Sequence, residues 1–411
     1  MPGTVHIIGA GLAGLAAGLS LSGAGARVAI HESAGHAGGR CRSYHDAALD
    51  LEIDNGNHLV LSGNHAMLAY AREIGSVERL VGPETAEFAF IDLASHERWT
   101  LRLGAGRLPW WIFDADRRVP HTRAADYLSL APLLFARSGT VAQCIKGRGA
   151  VYDRLLRPLV VAALNTDPEQ ASARLAAAII RETLGAGGQA CRPLIAREGL
   201  TSAFIDPALD LLQRRGATIS FGHRLRAIVF KERAIEALDF GEDVVRLDPG
   251  DRVILAVPPI VAADLVPGLS TPDDFRAIVN AHFRIDPPAG FPAMIGVINA
   301  ATEWIFTFPG RLSVTISAAD RLMENSREEL AAMIWREVSD IARLPAELPR
   351  WQIVRERRAT FAATPQQDEK RPAAATACSN LFLAGDWTAT GLPGTIEGAI
   401  RSGRRAAVLA G

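Results

Sequence analysis

The amino terminus alternates between two kinds of apolar pattern. Residues 5–8 form a short β-branched run, which predicts a strand. Gly9-Ala10-Gly11-Leu12-Ala13-Gly14 follows, and the next eight residues are small or apolar at helical spacing. A second strand runs over residues 27–31 and ends at Glu32. Residues 51–54 read as a strand entering a turn, Asn55-Gly56-Asn57-His58. Three further strands are expected at 216–221, 225–230 and 252–257, the last stopped by Pro258 and Pro259, which cannot join a ladder. Near the carboxyl end, residues 380–384 read as a strand leading into Gly385-Asp386, and a helix begins near Ile396. Between these parts, 127–135 and 155–164 have helical patterns. Alternation over 304–308 puts Trp304, Phe306 and Phe308 on one face of a strand.

Length and composition narrow the class. At 411 residues, with 48% hydrophobic and 22% charged positions, the chain is long enough for a large core without metal or disulfide staples. Its formal net charge of −1 argues against nucleic acid as a partner. The four cysteines, Cys41, Cys144, Cys191 and Cys378, form no metal-ligand spacing, so no metal is expected and a reducing compartment is. No spanning helix is evident, which points to a cytoplasmic protein, at most peripheral to a membrane.

The strand–glycine–helix–strand order gives the glycines a chemical meaning. Gly9 permits the tight turn, Gly11 lets backbone approach a pyrophosphate, and Gly14 lets helix and strand pack closely. The helix start at Leu12 and Ala13 offers unpaired N–H groups to phosphate. Glu32, 23 residues beyond Gly9, is placed to take ribose hydroxyls, and its free carboxylate argues against a 2′-phosphate. Gly38-Gly39-Arg40 comes next. With that loop the chain resembles the flavin amine oxidase and carotenoid desaturase superfamily, in which a Gly-Gly-Arg loop crosses the pyrophosphate. The resemblance implies FAD. It also assigns Gly385-Asp386 to a ribityl or phosphate oxygen, the helix start at Gly394, Thr395 and Ile396 to the flavin pyrimidine edge, and the backbone near Leu225 to the adenine. The same resemblance makes Asn55, Gly56, Asn57 and His58 the flavin-proximal turn. The implied architecture is α/β: a discontinuous Rossmann-like FAD-binding domain (1–80, 201–265 and 375–411) and an α+β substrate domain (81–200 and 266–374), as in flavin amine oxidases.

Local signatures narrow the resemblance further. Asp54 to His58, the 158–165 helix ending at Asn165, Arg358-Ala359-Thr360-Phe361 and Leu383 to Thr388 are similar to segments of the bacterial hydroxysqualene dehydroxylases. That likeness implies reductive removal of the hydroxyl of a C30 isoprenoid alcohol, hydroxysqualene, to give squalene for hopanoids or sterols. His58 is then the candidate proton donor, being titratable near neutral pH, and Asn165 a candidate to orient the hydroxyl. Trp304, Phe306 and Trp387 are candidate walls of the substrate pocket. The knot Trp110-Trp111-Ile112-Phe113 is a candidate for peripheral membrane contact. The glycines at 104–106, 147–149 and 185–187 lack the strand and spacing of a second nucleotide site, so electrons are expected from an external donor. Three alternatives stay open: a desaturase working in the oxidising direction, an amine oxidase, and a non-catalytic isoprenoid carrier.

Overall fold

The computed structural model describes residues 3–145 and 149–411; Lys146, Gly147 and Arg148 lie outside the described residues. Two sheets organise the chain. The first has five parallel strands in the order Thr218–Ser220, Arg27–His31, Thr4–Ile8, Arg252–Leu255 and Leu381–Leu383. A parallel sheet needs crossovers and two covered faces, which explains its near-continuous apolar strands. The strands Thr4–Ile8 (β1) and Arg27–His31 (β2) flank the helix Leu12–Gly23 (α1). Small residues on α1 let the carboxy-terminal helix Ile396–Ala410 pack against it closely: a Cβ on Gly403 would lie 2.0 Å from the Ala13 carbonyl oxygen.

The second sheet has seven strands, in the order Trp351–Phe361, Phe275–Arg284, Arg311–Ile316, Trp304–Phe308, Met294–Ile298, Glu87–Asp92 and Glu97–Arg102. One face packs on the helix Arg327–Ala342, with Trp335 against Phe283 at 5.0 Å between ring centroids. That helix is started by a reciprocal cap in which Glu329 N–H donates to Ser326 Oγ and Ser326 N–H to the Glu329 carboxylate. A small sheet of Leu59–Leu61, Pro193–Ala196 and Leu80–Val81 ties the two halves together.

Two expected helices take other forms. Over 127–135 the chain makes a 3₁₀ segment, Ala124–Leu130, and one α turn, Ala131–Leu134. Pro132 starts that turn because its missing N–H is tolerated only there. The helix expected over 155–164 runs only from Arg157 to Leu164 and is preceded by a wide π turn, Tyr152–Leu156. Pro158, which has no N–H to give back along the helix, sits at the junction.

Candidate flavin and substrate site

β1 ends in a turn that brings backbone, not side chains, to an open space. Gly9 N–H donates to the His31 carbonyl at 2.8 Å, and a Cβ on Gly14 would stand 2.0 Å from the Gly9 oxygen. Beside Gly11 nothing lies within 4 Å of where a Cβ would be. No side chain caps α1 and no acidic residue stands in its first turn, so its partial positive charge is left for an anion. Over this turn lies the Gly-Gly-Arg loop: Gly38 N–H donates to the Ala10 carbonyl, and Gly38 and Gly39 have φ of 101° and 57°, a left-handed path that glycine adopts at little cost. Glu32 is held at the end of β2 by N–H donors from Ala10 at 2.7 Å and Ala34 at 2.8 Å, one to each carboxylate oxygen. Ser33 Oγ also donates to Oε1, at 3.2 Å, so it is Oε2 that keeps a lone pair for a ribose hydroxyl.

The two ends of the chain meet at Arg40 and Asp386. Arg40 donates to Asp386 Oδ1 at 2.7 Å and to the Ala359 carbonyl at 2.5 Å. Asp386 is buried, whereas the Arg40 side chain is 46% exposed, so the guanidinium is open to a ligand while its partner stays behind it. The neighbouring Asp386 charge raises the Arg40 pKa further. A Cβ on Gly394 would be 3.2 Å from the second Asp386 oxygen, which places the start of the last helix at the same spot. Thr395 Oγ1 accepts from Gly398 N–H at 3.1 Å. Glu397, also in the first turn, faces away and accepts from Ala66 and Met67 N–H groups at the start of another helix. An uncapped helix start, a carboxylate at the end of β2 and a half-exposed arginine form a donor and acceptor set that fits FAD.

The turn Asn55 to His58 faces the second sheet. Asn280 Nδ2 donates to the Asn55 carbonyl at 3.3 Å, and Asn57 Nδ2 donates to Thr315 Oγ1 at 3.1 Å. Thr315 Oγ1 in turn donates to Asn280 Oδ1 at 2.8 Å. Asn57 N–H also donates to Asn280 Oδ1 at 3.4 Å, so both N–H groups of this residue are committed to the sheet, leaving the backbone at Gly56 for a cofactor. His58 is half-buried, and among the described residues none hydrogen-bonds its imidazole. Burial, and then the Arg40 charge, push its pKa down to about 4. With that shift the ring is neutral near pH 7, with one N–H to donate and one ring nitrogen to accept.

Two further expectations meet the geometry differently. Asn165, in a left-handed conformation at the end of its helix, spends its amide on the Arg276 carbonyl, Thr360 Oγ1 and the Ala318 N–H, at 3.2, 3.0 and 2.6 Å. Both its amide hydrogens are used, so it clamps three segments and has no donor left for a hydroxyl. Trp387 is 2% exposed, packs in the core with Ile8 and Leu383, and donates its indole N–H to the Val257 carbonyl at 2.9 Å. It supports the Gly385 turn from behind and is not a pocket wall. Leu225 is likewise core, leaving only its backbone for an adenine. Trp304 and Phe306 do share a face, packing with Phe308, Met294, Ile195 and half-buried Leu59.

Glu303, Asn280 and Thr315 carry no motif and escape a reading of the sequence. A lone asparagine inside the apolar strand Phe275–Arg284 is the one signal that marks Asn280. Burial pushes the Glu303 carboxyl up to about 7, and Ser317 N–H donates to it at 2.7 Å. The pleat sends Glu303 to the opposite face from Trp304. A carboxyl with a raised folded-state pKa contributes stability below its unfolded value of 4.5 that is lost as pH rises to about 7. Glu303→Gln is therefore expected to match the parent at pH 4 and to exceed it by about 3 kcal/mol at pH 8. Urea unfolding at the two pH values checks this.

Comparison with known proteins agrees with the cradle. The model of the family of flavin containing amine oxidoreductases matches residues 12–410. Hydroxysqualene dehydroxylases of Rhodopseudomonas palustris and Sinorhizobium fredii are 59% and 56% identical over 411 residues, covering 100% of this chain and 98% and 99% of theirs. The solved structure of cyclohexylamine oxidase from Brevibacterium oxydans superposes with a TM-score of 0.71 at 16% identity, covering 100% of this chain and 99% of that one. A likeness that runs the length of the chain and includes both halves of the cofactor cradle places it: the chain belongs to the flavin containing amine oxidoreductase family, among the hydroxysqualene dehydroxylases.

Proposed function

We propose that the chain is an FAD-dependent oxidoreductase that removes the hydroxyl of hydroxysqualene reductively, giving squalene and water. The observation that carries this reading is the full-length identity of 56–59% to hydroxysqualene dehydroxylases. In the balanced reaction the alcohol takes up two electrons and two protons. A C–O bond breaks, a C–H bond forms at the same allylic carbon, and the oxygen leaves as water. Bound FAD, in its reduced form, supplies hydride chemistry, and an external reductant restores that form.

The chain's residues divide the remaining work. Gly9, Gly11, Gly14 and the N–H groups of Leu12 and Ala13 receive the pyrophosphate, and Glu32 the ribose. Arg40, Asp386 and the helix start at Gly394 to Ile396 hold the flavin end, and the backbone at Asn55 to Asn57 bounds it. These residues belong to a cofactor unit of 1–80, 201–265 and 375–411, with 81–200 and 266–374 forming the substrate unit. His58, neutral and unpartnered, orients the departing hydroxyl by an N–H hydrogen bond. Trp304 and Phe306 keep water from the allylic carbon, and aromatic faces stabilise positive charge there. Protein, reductant and hydroxysqualene together are expected to yield squalene by mass, with none formed when reductant is omitted; no squalene in either case contradicts the reading.

A membrane surface is the source of so apolar a substrate. No helix among the described residues is long and apolar enough to cross a bilayer. One segment nevertheless exposes Leu108, Trp110, Phe113, Leu128 and Phe135, each at 63% or more, and the Trp110 and Phe113 rings lie 6.0 Å apart. Large rings left so open mark a contact surface, and a shallow aromatic patch suits the headgroup boundary. The protein is expected to float with phospholipid vesicles, and Trp110→Glu/Phe113→Glu to remain at the bottom of the gradient with its flavin bound.

A further inference from the structure

On the inner face of the seven-stranded sheet one cross-strand row runs from the flavin turn to the exposed knot. Its register is Asn280, Thr315, Trp304, Gly296, Phe90 and Trp99. The first two members bond the turn at Asn55 and Asn57. The last two pack in one cluster with Trp111 and Ile112, the inner side of the segment whose outer side bares Trp110 and Phe113. Five strand spacings make the row about 24 Å long, the scale of a long isoprenoid chain.

Between Thr315 and Trp99 no polar side chain interrupts the row, and one residue has no side chain at all. Glycine inside a strand weakens it and usually marks a close approach. Here the approach is visible: a Cβ on Gly296 would stand 2.5 and 2.6 Å from the Phe90 ring and 3.1 Å from the Trp304 ring. The two rings meet edge to face over this strand at 5.5 Å, and Phe90 stacks on Trp99 at 5.4 Å. At the end of the row, on the same face, Arg154 lies over the Trp99 ring at 5.0 Å and is fixed by Asp92 and Glu97. The strand that carries Gly296 is paired on both sides and cannot give way, so any bulk added at Gly296 pushes Phe90 and Trp304 inward.

We propose that this row is the floor of the isoprenoid-binding channel and that Gly296 is its specificity-determining residue, setting the depth at which Phe90 and Trp304 lie. The inference rests on the reading of the substrate as a C30 isoprenoid alcohol. Gly296 acts on the chain through the two rings, and it stands two strands away from Thr315, so the flavin is untouched.

Gly296→Ala and Gly296→Val are compared with the parent as flavin-loaded enzymes. Flavin content and the visible spectrum are expected to be unchanged. KM for hydroxysqualene is expected to rise about tenfold in the alanine variant and further in the valine variant, with kcat within about threefold, the pattern of lost uniform binding. Gly296→Ala/Phe90→Leu, which shortens the displaced ring, is expected to recover most of the KM. An unchanged KM in flavin-loaded Gly296→Ala overturns the proposal. So does a loss of kcat and flavin together, or a double variant no better than the single one. A parent that binds flavin but forms no squalene sinks the reading of the reaction instead.

Discussion

A Gly14→Val protein is expected to purify without colour. The first added atom would stand 2.0 Å from the Gly9 carbonyl oxygen and 3.3 Å from Ile7 Cγ2, and both neighbours belong to the buried start of the fold. Neither can move without opening the turn. The opening carries the first N–H groups of α1 away from the place where Gly11 leaves room for a pyrophosphate. Those groups have no side-chain cap to fall back on, so the anion is their principal partner. FAD affinity is expected to drop at least about a hundredfold, about 2.7 kcal/mol. Gly35 offers a control, since nothing lies within 4 Å of its Cβ position. Gly35→Ala should stay yellow. Flavin content after gel filtration, with melting in added FAD, measures both. A yellow Gly14→Val protein would mean that the glycine turn does not hold the cofactor.

His58→Ala should keep its flavin and lose about a hundredfold or more in kcat, the usual scale for removing one preorganised hydrogen-bond donor at the reacting atom. The pH dependence gives this prediction its edge. Burial and Arg40 hold the His58 pKa at about 4, below the ordinary 6.5, so the neutral ring is the working form. Turnover by the parent is expected to be flat from pH 6 to 8 and to fall as pH drops toward about 4. The linked stability has the same sign: a depressed histidine contributes above pH 6.5 and loses that contribution as pH falls through its folded value. His58→Gln, which retains a donor, should recover part of the rate. A rate limb near pH 6.5 that vanishes in His58→Ala would instead mark the imidazolium as a proton donor.

The flavin family is legible in the sequence because backbone that must leave room for a phosphate selects its residue types locally. A glycine turn, a carboxylate at a fixed distance and a Gly-Gly-Arg loop are local, and each keeps its meaning without knowledge of the fold. The substrate side leaves no such trace. Asn280, Thr315, Gly296 and Phe90 lie far apart in the chain, and only strand register makes them neighbours. Asn165 and Trp387 looked chemical because amides and indoles often are. Hydrogen bonds from 111 to 195 residues away absorb the Asn165 donors, and the Val257 carbonyl absorbs the Trp387 donor. His58 was recognised as a residue, while its protonation state depends on Arg40 and burial, which sequence spacing does not encode. The helices over 127–135 and 155–164 departed from pattern where Pro132 and Pro158 withhold an N–H.

In the proposed reaction electrons pass from the flavin to an allylic alcohol. The most direct measurement reduces the bound flavin without oxygen, removes excess reductant and mixes the protein with one equivalent of hydroxysqualene. The visible band of oxidised flavin is expected to return as squalene forms, one molecule for each flavin reoxidised. A flavin that stays reduced with the alcohol intact, or an oxidised protein that bleaches on the same substrate while a more unsaturated product appears, would contradict it.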